Sequence, residues 1–187
     1  MNHTLNLIIE ELMKLSKEIS DKEIDTVVEY LADLYHLQNK IFVAGAGRSG
    51  CVARAFANRL LHLGLCVYMV GDITSPPISA DDILFLISGS GKTGSLLSLA
   101  DKACKEKAKL ISITLNENSP IAKRSCARII LPGNSRLADV DDFVSVQPVG
   151  SAFEQLAWLC CDAIVIEVRD VCGITNEEML KHHANLE

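Results

Sequence analysis

The chain has 187 residues, 49% of them hydrophobic and 22% charged, a balance that excludes disorder and suits one compact domain with a substantial core. Lys and Arg number 18 against 24 Asp and Glu, giving a net charge of −6 and no basic run to neutralise a stretch of phosphates, so no nucleic-acid partner is expected. Mean hydropathy is high at +0.23, yet the longest apolar stretch, Leu156 to Val168, is interrupted by Asp162 and falls short of the ~20 apolar residues of a spanning helix.

The N-terminus, Met1 to Leu5, lacks the basic segment of an export signal, so a cytoplasmic protein with no membrane contact is expected. Leu5, Ile8, Ile9, Leu12, Leu15 and Ile19 recur at helical spacing. Ser20 with Glu23 predicts a capping box opening a second helix, with Ile24, Val27, Val28, Leu31 and Leu34 inward. The two helices occupy 4–38. From Lys40 the period changes, and short apolar runs appear at Ile41–Ala44, Val67–Val70, Ile83–Ile87, Leu110–Thr114 and Ile129–Leu131, mostly separated by helical segments. Continuous apolar strands alternating with helices predict a buried parallel sheet, hence an α/β, doubly wound domain with five strands.

Helices are predicted from about Ser49 to Gly64, from about Thr93 to before Lys109, and at Asn118-Ser119-Pro120, where proline follows the cap. After Pro132-Gly133 an irregular polar stretch runs to Gly150. A long apolar helix follows from about Ala152 to Cys172, and Thr175 with Glu178 caps a last short helix ending near His183. The α/β core spans 40–173, the last helix and tail 175–187, and the whole of 1–187 reads as one unit. The 7 cysteines are odd in number and form no C-x-x-C pair, so they read as small hydrophobes rather than as disulfides or thiolate ligands.

Gly45-Ala46-Gly47-Arg48-Ser49-Gly50 follows the first strand and opens a helix, which satisfies G-x-G-x-x-G, with Asp72 about twenty residues on as a dinucleotide fingerprint requires. Three readings compete: a dinucleotide site, a tight strand-to-helix turn, and a site for a phosphate at a helix N-terminus, with Gly47, Arg48 and Ser49 as donors. A second loop, Ser88-Gly89-Ser90-Gly91-Lys92-Thr93, follows the third strand. It ends like a Walker A loop but has Leu86 where that pattern needs glycine, so a nucleotide loop is rejected. Its hydroxyls and backbone N–H groups suit one phosphate monoester. In strand order 2-1-3-4-5 the first and third strands are neighbours, and both loops face the crevice between their carboxyl ends. Two small-anion loops on one crevice favour a phosphorylated small molecule, a sugar phosphate first among them.

The residues that carry this reading resemble the sugar isomerase (SIS) domain, and more closely the 6-phospho-3-hexuloisomerases. The matching pieces are Ala44–Gly50, Arg59–Gly64, the Ser88–Thr93 loop, Gln147–Gln155 and the tail His182–Glu187. They are spread over most of the chain, and the last two are the most particular to the hexuloisomerases. Val149, Lys92 and Ala152 depart from the family's usual residues. The resemblance implies a SIS fold of flavodoxin-like order and interconversion of D-arabino-hex-3-ulose 6-phosphate and D-fructose 6-phosphate through an enediolate, in the ribulose monophosphate pathway of formaldehyde assimilation. It implies no cofactor and no metal. It makes Glu154 the proton acceptor and His183 a group for ring opening or proton shuttling, and it implies a homo-oligomer, a tetramer as is common in the family, whose C-terminal tail reaches a neighbouring subunit's site.

Read from the residues alone, Ser151 to Glu154 is also a capping box, and a histidine in a last helical turn also complements the helix dipole. Arg59 and His62 read as structural. Two further functions share parts of the pattern: a sugar-phosphate-binding SIS regulator without catalysis, and an aldose–ketose isomerase of the arabinose 5-phosphate type. The first is disfavoured because the roughly forty residues before the first strand are too few and too acidic for an added DNA-binding domain. The second is disfavoured by the C-terminal tail.

Overall fold

The change of hydrophobic period at Lys40 is a change of layer in the molecule. A computed structural model describes residues 2–133, 145–148 and 150–186; Val149, Glu187 and most of the polar stretch after Gly133 lie outside them. Helices α1 (Asn2–Ser16) and α2 (Asp21–Leu37) come first, followed by β1 (Lys40–Gly45), α3 (Arg48–His62), β2 (Cys66–Met69) and β3 (Ile83–Ile87). Then come α4 (Gly94–Lys105), β4 (Lys109–Thr114), α5 (Pro120–Arg124), β5 (Ala127–Ile130), α6 (Ser151–Cys172) and α7 (Asn176–Lys181).

The strands form one parallel sheet in the order β2-β1-β3-β4-β5, which is the doubly wound arrangement expected. Alternation along each strand explains the unbroken apolar runs. Ile41 and Val43 of β1 pack with Phe56, Phe85 and Ile164 on the side of α2, α3 and α6, whereas Phe42 and Ala44 pack with Leu84, Leu96 and Ala100 on the side of α4. All five side chains of β3 are buried, and each contributes about 1.5–3 kcal/mol by leaving water, so the loop after Ile87 starts from a stiff base.

At the amino end of the sheet Asp82 ties β3 to β1. Its carboxylate accepts from the backbone N–H of Lys40 at 3.0 Å and from the N–H and hydroxyl of Ser79, both at 2.7 Å. Burial opposes its ionisation, but these bonds and the Lys40 ammonium outweigh burial and hold the carboxyl below its ordinary range.

Several local expectations change in three dimensions. Ser20 precedes α2 but makes no side-chain cap; the backbone N–H of Glu23 bonds to the Ser20 carbonyl oxygen, and the Glu23 carboxylate accepts from the backbone N–H of Ile130 on β5 at 2.8 Å. Ser119 caps α5 through Ala122, and Thr175 and Glu178 form a complete capping box at α7. Cys160 and Cys161 are buried as small hydrophobes, and burial, with the Glu23 charge, pushes the Cys160 thiol up to about 12. Cys51, Cys104 and Cys126 are exposed instead. Phe153, Leu156, Ala157, Cys160, Ile164 and Val168 form the buried stripe of α6, while Trp158 and Leu159 stand about half exposed beside it. Among the described residues no helix is long and apolar enough to cross a membrane.

Candidate active site

The first loop is shaped by two close backbone approaches. A Cβ on Gly45 would lie 2.5 Å from the carbonyl oxygen of Ser49, and one on Gly50 would lie 3.0 Å from that of Gly45, so only glycine lets the first turn of α3 fold back on β1. Gly47 is the N-cap, at φ 57°, and a Cβ there would meet nothing within 4 Å. The first turn of α3 therefore begins beside open space rather than packed protein, the setting in which a helix N-terminus takes an anion.

The second loop leaves β3 and is held by its neighbours. Ser88 donates its backbone N–H to Ile113, and its hydroxyl accepts from Gly91 N at 3.2 Å. The carbonyl oxygen of Gly89 accepts from Leu115 N and from the Thr114 hydroxyl. The Ser90 hydroxyl accepts from Lys92 N, and Thr93 is the N-cap of α4 without using its side chain for the cap. A Cβ on Gly89 would be 3.2 Å from the Phe153 ring, so this glycine lets the ring of α6 lie against the loop.

Both loops open into one cavity of about 480 Å³ between the carboxyl ends of β1 and β3. Gly47, Arg48 and Ser49 line it from one side, and Ser88, Gly89, Ser90 and Thr93 from the other. Gly91 and Lys92 do not line it. Gly91, at φ 58°, is turned toward α5, where a Cβ would come 2.1 Å from the Ser119 hydroxyl, and the Lys92 side chain is exposed. The apolar walls, Leu96, Leu115 and Phe153, were not picked out for the site from the sequence. Only the neighbourhood of Phe153 and Glu154 in the chain pointed to any of them.

Glu154 enters this cavity from the first turns of α6. Gly150, in the left-handed conformation at φ 80°, is the N-cap, so the helix starts at Ser151 and the capping box expected from Ser151 to Glu154 does not form. The carboxylate instead pairs with the Nε of Arg48, whose Nη2 donates to the Ser151 hydroxyl at 3.2 Å. Glu154 is mostly shielded, with 16% of its side chain exposed, against 66% for Arg48. The cavity thus offers a small-anion cradle of N–H and O–H groups, one carboxylate beside it and an apolar floor.

His183 lies elsewhere. Its ring stacks on His62, with centroids 4.8 Å apart and planes 21° apart, and it borders a second cavity of about 330 Å³ together with Arg59, Trp158 and Asp162. His62 is buried at the end of α3, and His182 packs over Gly64, where a Cβ would meet its Nε2 at 3.1 Å. Burial pushes the Cys161 thiol on this cavity's wall well above its usual range. Arg48 and His62 are at opposite ends of α3, about 21 Å apart at ~1.5 Å per residue, so a seated His183 does not reach the Glu154 cavity of its own chain. Among the described residues no cluster of three or more His, Cys, Asp or Glu side chains is placed to hold a metal ion.

The SIS domain family matches residues 34–157. The chain is 37% identical over 180 residues to the 3-hexulose-6-phosphate isomerase of Bacillus subtilis (strain 168), covering 96% of this chain and 95% of that protein. It is 34% identical over 187 residues to the enzyme of the same name from Mycobacterium gastri, covering 100% and 92%. A crystal structure from Methanococcus jannaschii, for which a molecular function of 3-hexulose-6-phosphate isomerase was inferred, superposes with a TM-score of 0.82 at 30% identity, covering 98% of this chain and 99% of that one.

Proposed function

The chain belongs to the SIS-domain family, and from that premise we propose that it is a 3-hexulose-6-phosphate isomerase, interconverting D-arabino-hex-3-ulose 6-phosphate and D-fructose 6-phosphate. One observation carries the reading: two anion-type loops and a single carboxylate line the same cavity. The phosphate is held by the N–H groups at the starts of α3 and α4 and by the hydroxyls of Ser49, Ser88, Ser90 and Thr93. Anchoring that end leaves the carbonyl region beside Glu154.

Moving a ketone from C3 to C2 is a transfer of protons within one molecule. Glu154 takes the proton from C2, the electron pair of that bond forms the C2–C3 double bond, and the C3 oxygen receives the charge as an enediolate. The C3 oxygen takes up a proton to become a hydroxyl, the O2 proton leaves as C2 becomes the ketone, and C3 receives a proton, so the two protons lost at C2 and O2 are matched by the two gained at C3 and O3. The carbon skeleton undergoes no net oxidation, so no redox cofactor enters this reading. Donors aimed at the developing oxyanion lower the barrier most.

His183 is assigned to a neighbouring copy's cavity as a proton donor to the substrate oxygens. Its seat at the far end of α3 from Arg48 supports this assignment. The reading therefore includes a homo-oligomer, a tetramer after the family's habit, acting as one SIS unit over 1–187, in the cytoplasm and within the ribulose monophosphate pathway.

Purified protein with fructose 6-phosphate in heavy water tests the proposal by NMR. Deuterium at a carbon-bound position together with formation of the 3-ketose is the expected result. A fully active-site-competent preparation that forms no 3-ketose would overturn it.

A further inference from the structure

Among the described residues lining the Glu154 cavity, Arg48 is the one cation and Glu154 the one anion, and they are paired to each other. We propose that Arg48 is a latch operated by the substrate's phosphate: the phosphate takes the guanidinium, and Glu154 is thereby released to act as base. The inference rests on the reading of Glu154 as that base. It adds a positioning residue and predicts discrimination against sugars without a phosphate.

The geometry suits an exchange. Arg48 is the first residue of α3, directly after the Gly47 cap, so its backbone is already part of the anion cradle. Two of its donors are in use, Nε on Glu154 and Nη2 on the Ser151 hydroxyl, which leaves three of the five N–H bonds of the fork. With two thirds of its side chain exposed, it is free to swing, whereas Glu154 is held in the wall of the cavity.

Charge decides the direction of the exchange. A phosphate monoester at neutral pH carries close to two negative charges against one on the carboxylate, and it presents three oxygens to a fork that matches phosphate geometry. Once the phosphate sits on the loop beside Gly47, the guanidinium is drawn to it. Before that, Oε2 of Glu154 is committed to the guanidinium, and that oxygen takes no proton from carbon until the pair parts. A sugar lacking the phosphate enters the cavity and finds the base still latched. Binding energy from the non-reacting end of the substrate is thus converted into reactivity at C2.

A substrate cut in two tests this on the full-length protein. Turnover of phosphate-free D-fructose, read as deuterium exchange, is measured with and without added phosphite dianion, in the native protein and in Arg48→Ala, Arg48→Lys and Glu154→Gln. In the native protein phosphite is expected to raise turnover at least about tenfold. In Arg48→Ala the phosphite-free rate is expected to rise above the native one, with phosphite adding less than about twofold, while KM for fructose 6-phosphate increases. Arg48→Lys, which keeps the charge and loses the fork, is expected to fall between the two.

Equal activation by phosphite in the native protein and in Arg48→Ala, or a phosphite-free rate in Arg48→Ala below the native one, overturns the latch. Thermal unfolding of each variant at the native temperature guards against a folding artefact. If Glu154→Gln is inactive while phosphite activation is independent of Arg48, the latch fails and the base stands. If Glu154→Gln exchanges deuterium normally, the base reading itself has failed.

Discussion

The helices α3 and α6 border two cavities that are built differently. At their N-terminal ends the walls are backbone loops rising from buried strands, closed by glycines that no other residue replaces, around a volume of about 480 Å³. At the C-terminal end of α3 the cavity of about 330 Å³ is bordered by an exposed tail resting on one buried histidine. The first has an anion cradle and a carboxylate, and the second has imidazoles, a guanidinium and Asp162. The anion-type loops thus rise from buried strands, whereas His183, alone among the groups of the second cavity, sits on an exposed tail while His62, Arg59 and Asp162 stand on α3 and α6. That division separates anchoring from the final assembly of the site, and each half can be broken without the other.

The largest effect is expected at the stiff end. Glu154→Gln removes the carboxylate proposed as the base and keeps the shape, so turnover of fructose 6-phosphate should fall by about 10²–10⁴-fold with thermal stability within error of the native protein. Near-normal turnover would take Glu154 out of the mechanism. Next comes the tail. Truncation after Met179 removes His183 and should lower turnover by about 10²–10³-fold, while calorimetric binding of fructose 6-phosphate at the front cavity persists. An active truncated protein would show that the second cavity supplies nothing to the reaction.

Gly91 sharpens the comparison through stability. A side chain there would need a positive φ of 58° and would drive its Cβ to within 2.1 Å of the Ser119 hydroxyl that caps α5. Gly91→Ala should therefore cost about 2–4 kcal/mol, read as a lowered midpoint in urea, and weaken phosphate binding through the displaced loop. An unchanged midpoint would mean that α5 yields without resistance.

The two cavities were not equally legible in the sequence. The central strands β1, β3 and β4 read to within one residue at each end because a strand buried on both faces is apolar, as Ile83 to Ile87 is, whereas the edge strand β5, which carries Arg128, begins two residues before the expected run. The first cavity's hydroxyls and glycines were visible because turn chemistry is local. Local patterns misled where distant partners enter: the Glu23 carboxylate bonds to β5, 107 residues away, and the left-handed Gly150 moved the start of α6 so that Glu154 faced Arg48 instead of the helix end. Gly91 and Lys92 belong to the same short loop as Ser90, yet the turn sends them toward α5 and solvent. The His62 and His183 pair is wholly tertiary, and neither residue's neighbours in the chain announce the other.

That pair supplies the smallest and most discriminating test. Stacking of two rings at 4.8 Å contributes about 0.5–1.5 kcal/mol, so His62→Ala should loosen the tail without freeing it. If the seat only orients His183, kcat should fall about three- to tenfold while KM for fructose 6-phosphate is unchanged, because the phosphate cradle is about 21 Å away along α3. Amide hydrogen exchange over 176–186 should quicken in parallel. His62→Phe restores a ring to stack upon but no titratable nitrogen, so recovery of both kcat and tail protection identifies packing as the contribution of His62. Recovery of protection without kcat would instead make His62 a participant in proton transfer, and would move part of the chemistry to the end of the helix that carries no anion cradle.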